Sequence, residues 1–198
     1  GDVYKRQALA SGNIGGSNQI QRATDRFGNS NSALYFNYNP IDHFLKINPQ
    51  NLHLENDASF TWSIWVKTKN EQTNKYIISN YGGIPNKPSY AMGTSDRGVS
   101  GGDSAYGFVS NDSYGIEVIG QTNLNDNQWH NIILSSDTET LSLYVDGSLE
   151  DIADISNLNG AYVGNRDIYI GRREASNMSQ HFGGHIDDIR FYNRSLSE

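Results

Sequence analysis

The 198-residue sequence contains no cysteine, few basic residues and no long apolar run. Without cysteine the chain has neither disulfide bonds nor a thiol nucleophile, but many secreted bacterial modules also lack cysteine, so the compartment stays open. The 15 Lys and Arg residues are outnumbered by 22 Asp and Glu residues and form no basic cluster, which argues against a nucleic-acid partner. No apolar stretch approaches the roughly 20 residues of a membrane-spanning helix, so no membrane span is predicted.

The composition favours many short strands over helices. Hydrophobic residues make up 36% of the chain and charged residues 19%, while 20 Gly and 12 Tyr residues are present. Turn-forming residues together with β-prone aromatic residues are typical of β-proteins. We interpret residues 8–198 as one domain, because a chain of this length buries a sizeable core without cross-links. Residues 1–7, GDVYKRQ, are either a non-native segment, of a kind found at the ends of metagenomic protein fragments, or a linker.

Two stretches carry the clearest strand patterns. Within SFTWSIWVKT, Ser59–Thr68, large apolar residues occupy every second position, which predicts a strand with one buried face. Trp129–Ser135 and Leu141–Val145 predict two further strands. Asp146-Gly147 follows directly and predicts a two-residue hairpin turn, because both central positions of such a turn require positive φ.

Weaker strand patterns recur at short intervals between Gly, Asn, Pro and Asp residues. This spacing is typical of an antiparallel sandwich or barrel. No segment has a long helical period, although residues 49–57 are compatible with one short helical turn. The weaker strands are predicted at Ala33–Phe36, His43–Ile47, Tyr76–Asn80, Ser89–Met92, Tyr106–Ser110, Gly115–Ile119, Ile168–Arg172 and Ile186–Asn193.

Seven motifs follow one another from Asp25 to the C-terminus: DRFGNSNSALYF, HFLKI, FTWSIWVKT, QWHNIIL, LSLYVDGSL, IYIGRR and FGGHIDDIRFYNRSLSE. In this order they resemble the laminin-G-like (pentraxin-type) group of the concanavalin A-like lectin/glucanase superfamily. The resemblance implies an all-β jelly-roll sandwich of two antiparallel sheets. It also implies a bacterial protein, secreted or on the cell surface, in which such modules bind glycans, pack against enzymes or mediate adhesion. Asn37 and Tyr38 depart from the family pattern, where an Asp-Gly pair is common.

The last strand contains two adjacent carboxylates, Asp187 and Asp188. If Ile189 and Phe191 point into the core, strict alternation places Asp187 on the same side, where a carboxylate needs a hydrogen-bonding, ionic or metal partner. Asp188 would then face outward and pair with Arg190.

The resemblance implies that this partner is a structural Ca²⁺ between an early loop and the last strand. Calcium prefers several hard oxygen ligands. The residues expected to supply them are Asp25, Asn29, Asn31 and Asp187. The alternative is that Asp25 caps a turn and that Asp187 bonds to Arg22, Arg26 or a backbone N–H.

Carboxylate pairs suited to glycoside hydrolysis are missing from the predicted strands. Asp137 and Glu139 lie in a turn between two strands, and the carboxylates of LEDIAD, residues 149–154, are interpreted as a surface edge. His130 follows Trp129 on a strand and is interpreted as structural. We therefore expect a module that is not an enzyme.

A glycan-binding site requires aromatic rings and polar groups on loops or on an open sheet. The longest polar, glycine-rich loop is predicted at Gly93–Tyr106 and is our candidate location. The predicted ligand-binding residues are Tyr81, Arg97, Asp103 and Tyr106. Other available rings are Tyr90, Tyr114 and Tyr162. The alternative for each tyrosine is that it covers a sheet edge or an interface.

The leading hypothesis is a non-catalytic, extracellular module that binds a carbohydrate or glycoconjugate and holds a structural Ca²⁺. It would work beside neighbouring domains of a larger chain. The second hypothesis is an adhesive or spacer module that binds protein rather than sugar, and the third is a glycan-active enzyme. An open, aromatic-lined face distinguishes the first hypothesis from the second.

Overall fold

The computed structural model describes residues 20–37, 44–47, 59–69, 74–81, 89–99, 102–111, 113–158, 166–173 and 180–196. These residues form 13 strands and a short 3₁₀ turn at Ser156–Leu158, which confirms the predicted all-β class. The predicted helical turn at 49–57 and the segment 1–7 lie outside the described residues. The strands are β1 (Gln21–Ala23), β2 (Ala33–Phe36), β3 (Leu45–Ile47), β4 (Phe60–Lys67), β5 (Tyr76–Ser79), β6 (Ser89–Ser95), β7 (Ser104–Ser110), β8 (Gly115–Ile119), β9 (His130–Ser136), β10 (Thr140–Val145), β11 (Ser148–Asp154), β12 (Ile168–Ile170) and β13 (Gly184–Tyr192).

The strands form two antiparallel sheets. One sheet has seven strands in the order β1-β2-β13-β4-β9-β10-β11, and the other has six in the order β3-β12-β5-β6-β7-β8. The last strand, β13, lies near the middle of the seven-stranded sheet, between β2 and β4. The beginning and the end of the described chain are therefore joined by backbone hydrogen bonds. No helix among the described residues is long and apolar enough to cross a membrane.

The core lies between the inner faces of the two sheets. In β4, Phe60, Trp62, Ile64 and Val66 are at most 1% exposed, as the period of two predicts. Trp62 of the seven-stranded sheet packs edge-on against Tyr90 of β6, with ring centroids 4.4 Å apart. Because Tyr90 is buried in this contact, its ring is not available at the surface.

The predicted hairpin is confirmed. Val145 pairs with Ser148, which leaves Asp146 and Gly147 as the two turn residues. Their φ angles are 51° and 81°, both in the region that this turn requires.

The last strand contains a β-bulge that the sequence analysis did not anticipate. Asp187 pairs with Trp65 and Arg190 pairs with Ser63, so two residues of β13 oppose Ile64 alone. Asp188, within the bulge, adopts a φ of 47°.

The expectation that Asp187 faces the core is therefore wrong. Ile186 pairs with Val66 and is 1% exposed, whereas Asp187 pairs with Trp65 on the outer face. Beyond the bulge, Phe191 pairs with Trp62 and packs against the core again. The extra residue shifts the alternation by one position, so that Asp187 and Phe191 lie on opposite faces.

Close backbone approach in the six-stranded sheet makes Gly93 a sensitive position. A β-carbon there would lie 2.0 Å from the Lys75 carbonyl oxygen, whereas one at Gly107 would lie 2.3 Å from Leu134 Cδ1, the end of a side chain. We expect Gly93→Ala to lower the free energy of unfolding by about 3 kcal/mol and Gly107→Ala by about 1 kcal/mol, because a backbone atom yields less than a methyl group. Urea denaturation measures both, and an equal or inverted order would contradict this packing.

Candidate functional site

The outer face of the six-stranded sheet presents aromatic side chains beside ionic ones. In β7, Ala105 and Val109 are buried in the core, so the alternate residues Tyr106 and Phe108 point away from it. Phe108 pairs with Glu117 of β8, which places Glu117 on the same outer face. Regular alternation on two paired strands thus builds the centre of this surface.

Four half-buried rings on this face are in contact, and we call them the aromatic row: Tyr76, Tyr81, Phe108 and Tyr106. The ring centroids of Tyr76 and Tyr81 are 6.1 Å apart in a stacked arrangement. Tyr81 meets Phe108 edge-on at 5.6 Å. Phe108 in turn lies nearly parallel to Tyr106, with centroids 6.4 Å apart. Adjoining rings of this kind offer an extended surface of aromatic carbon.

Two guanidinium groups flank the aromatic row. At one end the Arg97 guanidinium carbon lies 5.9 Å from the Tyr106 ring centroid, and Arg97 Nη1 donates to Glu117 Oε2 at 2.7 Å. The Arg173 guanidinium carbon lies 5.8 Å from the Tyr81 ring centroid, and Arg173 also hydrogen-bonds with the Tyr76 hydroxyl. The side chains of Arg97 and Glu117 are 49% and 38% exposed, so this ion pair is open to a ligand.

The hydroxyls of Tyr76 and Tyr106 stay protonated at neutral pH. Burial, followed by the neighbouring Tyr76 and the negative Glu117, raises the pKa of Tyr106. Burial also raises the pKa of Tyr76, although the Arg173 guanidinium works against it. Both hydroxyls can therefore donate as well as accept hydrogen bonds.

Three of the four predicted ligand-binding residues come together here: Tyr81, Arg97 and Tyr106. The fourth, Asp103, lies directly before β7 and is 1% exposed, so a ligand on the surface cannot reach its side chain. The predicted loop is also shorter than expected, because Ser95 pairs with Ser104 and extends both strands.

The residues that the sequence analysis missed are Tyr76, Phe108, Glu117 and Arg173. Alternation along β7 would have placed Phe108 on the same face as Tyr106. Glu117 joins the site only because β8 pairs with β7, and Arg173 only because β12, which precedes it, pairs with β5. Tyr114 is 47% exposed and donates to the Asn157 carbonyl, and Tyr162 lies outside the described residues.

At the rim between the early loop and β13, the predicted metal ligands have protein partners. Asp25 Oδ1 accepts from the backbone N–H groups of Phe27 and Asn29, and Asp25 Oδ2 accepts from Asn29 Nδ2. These bonds, led by the one from Asn29, lower the pKa of Asp25. Asn31 has a φ of 60°, and its carbonyl accepts from Arg22. Asp25 thus caps a turn, which is the alternative left open by the sequence.

Arg26 occupies the position between the two carboxylates of β13. Its Nη1 donates to Asp187 Oδ2 at 2.6 Å and its Nη2 to Asp188 Oδ2 at 2.9 Å. Its guanidinium carbon also lies 5.0 Å from the Trp65 ring centroid. Arg190 donates twice to Asp188, as expected. Burial opposes ionisation of Asp188, but Arg190 and Arg26 outweigh it and lower the pKa of this carboxyl.

This donor set does not fit a calcium ion as it stands, because guanidinium and amide groups already take the carboxylate oxygens. Within the described ranges no three acidic or histidine residues are grouped in a way that would hold a metal. Calcium at this rim stays a prediction from the resemblance, and it would require Arg26 to release Asp187.

Comparison with known proteins identifies the family to which the fold belongs. The model of the Laminin_G_3 family, described as concanavalin A-like lectin/glucanases superfamily, matches residues 41–198. The chain belongs to this family. The resemblance seen in the sequence motifs is thereby confirmed, and the sandwich is a concanavalin A-like jelly roll. A comparison with curated protein sequences found no match.

Solved structures share this laminin-G-like fold at low sequence identity. Domain 4 of an extracellular GH43 arabinanase from Geobacillus stearothermophilus, in complex with arabinotriose, is 18% identical with a TM-score of 0.66, covering 91% of this chain and 78% of that one. The CBM40 of Ruminococcus gnavus IT-sialidase, bound to α2,3-sialyllactose, is 17% identical with a TM-score of 0.52, covering 71% and 78%. The botulinum neurotoxin serotype D/C binding domain is 13% identical with a TM-score of 0.63, covering 90% of this chain but only 43% of its own length.

Three carboxylates that the sequence analysis placed in a turn or at a surface edge, Asp137, Glu150 and Asp151, accept hydrogen bonds from backbone N–H groups. Asp137 Oδ1 accepts from the N–H groups of Glu139 and Thr140 within a turn. Asp151 Oδ2 accepts from Ile119 N–H at 2.7 Å, and Glu150 accepts from the Gln121 N–H and the Thr122 hydroxyl. The edge strand β11 of one sheet is thereby tied to the end of β8 in the other.

His130 has a structural position in the laminin-G-like fold, as the sequence suggested. Its Nδ1 lies 2.7 Å from Asp146 Oδ2 and its Nε2 3.1 Å from Asp126 Oδ1. Burial alone would lower the pKa of His130, but these two carboxylates outweigh it and raise the pKa above its usual 6.5. The ring therefore links the hairpin turn to the loop before β9.

The raised pKa of His130 makes a part of the stability dependent on pH. This contribution is fully present below about pH 6.5 and is lost as the pH rises through the folded-state pKa. His185 acts in the opposite sense, because burial and then Lys67 lower its pKa. We therefore compare wild type with His130→Gln, in which His185 is unchanged. The stability difference by urea denaturation should shrink as the pH rises above 6.5, and a difference independent of pH would contradict the assignment.

The rim gives a test that separates the arginine bridge from calcium. We expect Arg26→Met to lower the free energy of unfolding by about 2 kcal/mol, since two charge-assisted hydrogen-bonded pairs are lost. Arg22→Met, which loses one bond to a carbonyl, is the matched control and should change little. A melting temperature that rises with Ca²⁺ in metal-stripped wild type, and not in Asp187→Ala, would show instead that the ion displaces Arg26.

Proposed function

We propose that this laminin-G-like domain is a non-catalytic carbohydrate-binding module that holds its ligand on the aromatic row. One observation carries the proposal. Four half-buried rings in contact with one another share a face with the exposed Arg97–Glu117 ion pair. Binding sites for small ligands combine aromatic surface with a few placed polar groups, and this face provides both.

The two parts of the site contribute differently to sugar binding. Hydroxyl groups of a sugar exchange bonds with water for bonds with protein, so each gains little net free energy. The C–H faces of the sugar, by contrast, leave water when they pack on Tyr106 or Tyr81. Glu117 accepts and Arg97 donates hydrogen bonds, so together they fix the orientation of the hydroxyl groups. The aromatic row supplies affinity and the ion pair supplies selectivity.

The similar structures support this proposal without assigning a ligand. Two of them, the arabinanase domain and the sialidase module, were solved with arabinotriose and with sialyllactose. The same jelly roll therefore carries sugar-binding surfaces elsewhere. Secretion or display on the cell surface, as part of a longer bacterial chain, belongs to the proposal, because the polysaccharides that such modules bind lie outside the cell.

A protein-binding adhesive or spacer role is the second candidate, and exposed apolar side chains favour it. Leu149 and Ile152 on the edge strand β11 are 48% and 53% exposed, and Phe27 in the early loop is 74% exposed. An edge strand with apolar residues is a surface on which another chain can add a strand. A substitution on β11 should leave sugar binding unchanged if the aromatic row is the glycan site.

The test is retention on immobilised arabinan, xylan and polygalacturonate, followed by titration with the retained polysaccharide. Tyr106→Ala should raise the Kd about tenfold or more, because loss of an aromatic contact with the ligand exceeds about 1.4 kcal/mol. Tyr144→Ala, on the outer face of the seven-stranded sheet, is the matched control and should bind as wild type.

Two outcomes would overturn the proposal. Absence of retention across the panel would favour the adhesive or spacer role. Release of sugar products by the wild type, abolished by substitution of one carboxylate, would show that the domain is an enzyme.

A further inference from the structure

The aromatic row is electrostatically asymmetric. At the Tyr106 end, Arg97 is paired with Glu117 at 2.7 Å, and the exposed Asp96 lies near enough to help raise the pKa of Arg97, after Glu117 itself. Beside the Tyr81 ring lies Arg173, which has no carboxylate partner in the part of the chain that the structure describes. The surroundings of the Tyr106 ring are therefore neutral or slightly negative, whereas those of the Tyr81 ring are positive.

Arg173 hydrogen-bonds with the Tyr76 hydroxyl, but its own protein does not satisfy it fully. Its Nε is buried without a hydrogen-bond partner among the described residues, and its guanidinium is held beside the Tyr81 and Tyr76 rings. A guanidinium fixed against aromatic faces keeps its planar donors in one orientation, so little conformational freedom remains to be lost on binding. An anionic ligand at the guanidinium would compensate a positive charge that no carboxylate among the described residues pairs with.

We infer that the row binds glycans with a carboxylate-bearing sugar, such as a uronic or a sialic acid, with this carboxylate at Arg173. The inference rests on the proposed function and adds the ligand class. The sugar ring would lie on Tyr81, and the carboxylate would accept two parallel hydrogen bonds, a geometry that guanidinium matches. Neutral residues of the same glycan would continue along Phe108 and Tyr106 toward the Arg97–Glu117 pair.

The overall charge of the protein means that a preference for acidic glycans would come from the site and not from the rest of the surface. The chain has a formal net charge of −7, which repels polyanions at long range. Preference for an acidic ligand must therefore arise from short-range contact. It should persist at physiological salt, where charges more than about 8 Å apart are largely screened.

The experiment compares each acidic ligand with the same compound whose carboxylates are masked as methyl esters. The probes are trigalacturonic acid and sialyllactose, titrated at pH 7 and physiological salt with the whole chain. We expect at least one acid to bind about tenfold or more tightly than its ester, because a charge-assisted hydrogen bond is lost in the ester. Arg173→Gln should reduce this ratio to about twofold or less.

Arg22→Gln, which removes an exposed arginine at the other sheet, is the matched control and should keep the full ratio. Arg173→Lys keeps the charge but not the planar fork and should give an intermediate ratio, which also covers the case that Arg173→Gln does not fold. Dextran sulfate distinguishes carboxylate from general anion binding, and Arg173-dependent binding of it as tight as that of the acids would overturn the ligand class.

The failures of the two proposals are distinguishable. If acids and esters bind equally and Tyr106→Ala weakens both, the aromatic row is a glycan site and the inference about Arg173 is wrong. If no ligand binds and the polysaccharide panel is also negative, the proposed function falls and the inference falls with it.

Discussion

The pairing of β13 between β2 and β4 is the constraint on which the rest of the structure depends. It closes the seven-stranded sheet with the last strand of the chain and sets the register of its central strands. Trp62 of β4 is thereby held against Tyr90, which joins the inner faces of the two sheets. Loss of this pairing would expose the core on one side and separate the early loop from the rim.

The β-bulge in β13 determines how the rim is neutralised. One extra residue moves Asp187 to the outer face, where Trp65 and Arg26 meet it, and turns Asp188 toward Arg26 and Arg190. Two adjacent carboxylates are thus matched by two arginines. In a regular strand the same sequence would have directed one carboxylate into the core, which is the arrangement that suggested a metal ion.

The candidate site depends on the opposite sheet and on regular strands. Tyr106, Phe108 and Glu117 share a face because β7 and β8 pair without a register shift. This face is separated from the rim by the whole thickness of the sandwich, so ligand binding and rim neutralisation are physically independent. Substitutions at Arg26 and at Tyr106 should accordingly have additive effects on stability.

Sequence alone determined what local patterns encode. Alternation predicted β2, β4 and β8 and most of the remaining strands. The requirement for positive φ predicted the Asp146-Gly147 hairpin, and the order of the motifs predicted the family. Tertiary structure decided which separated segments meet. Glu117 and Arg173 lie beside Arg97 and Tyr81 only because β8 pairs with β7 and β12 pairs with β5. Asp103 is buried by the same fold. Tertiary structure also decided which face of the sheet Asp187 lies on. A single extra residue at the bulge reverses the alternation, and the sequence pattern of β13 does not reveal where such a bulge occurs.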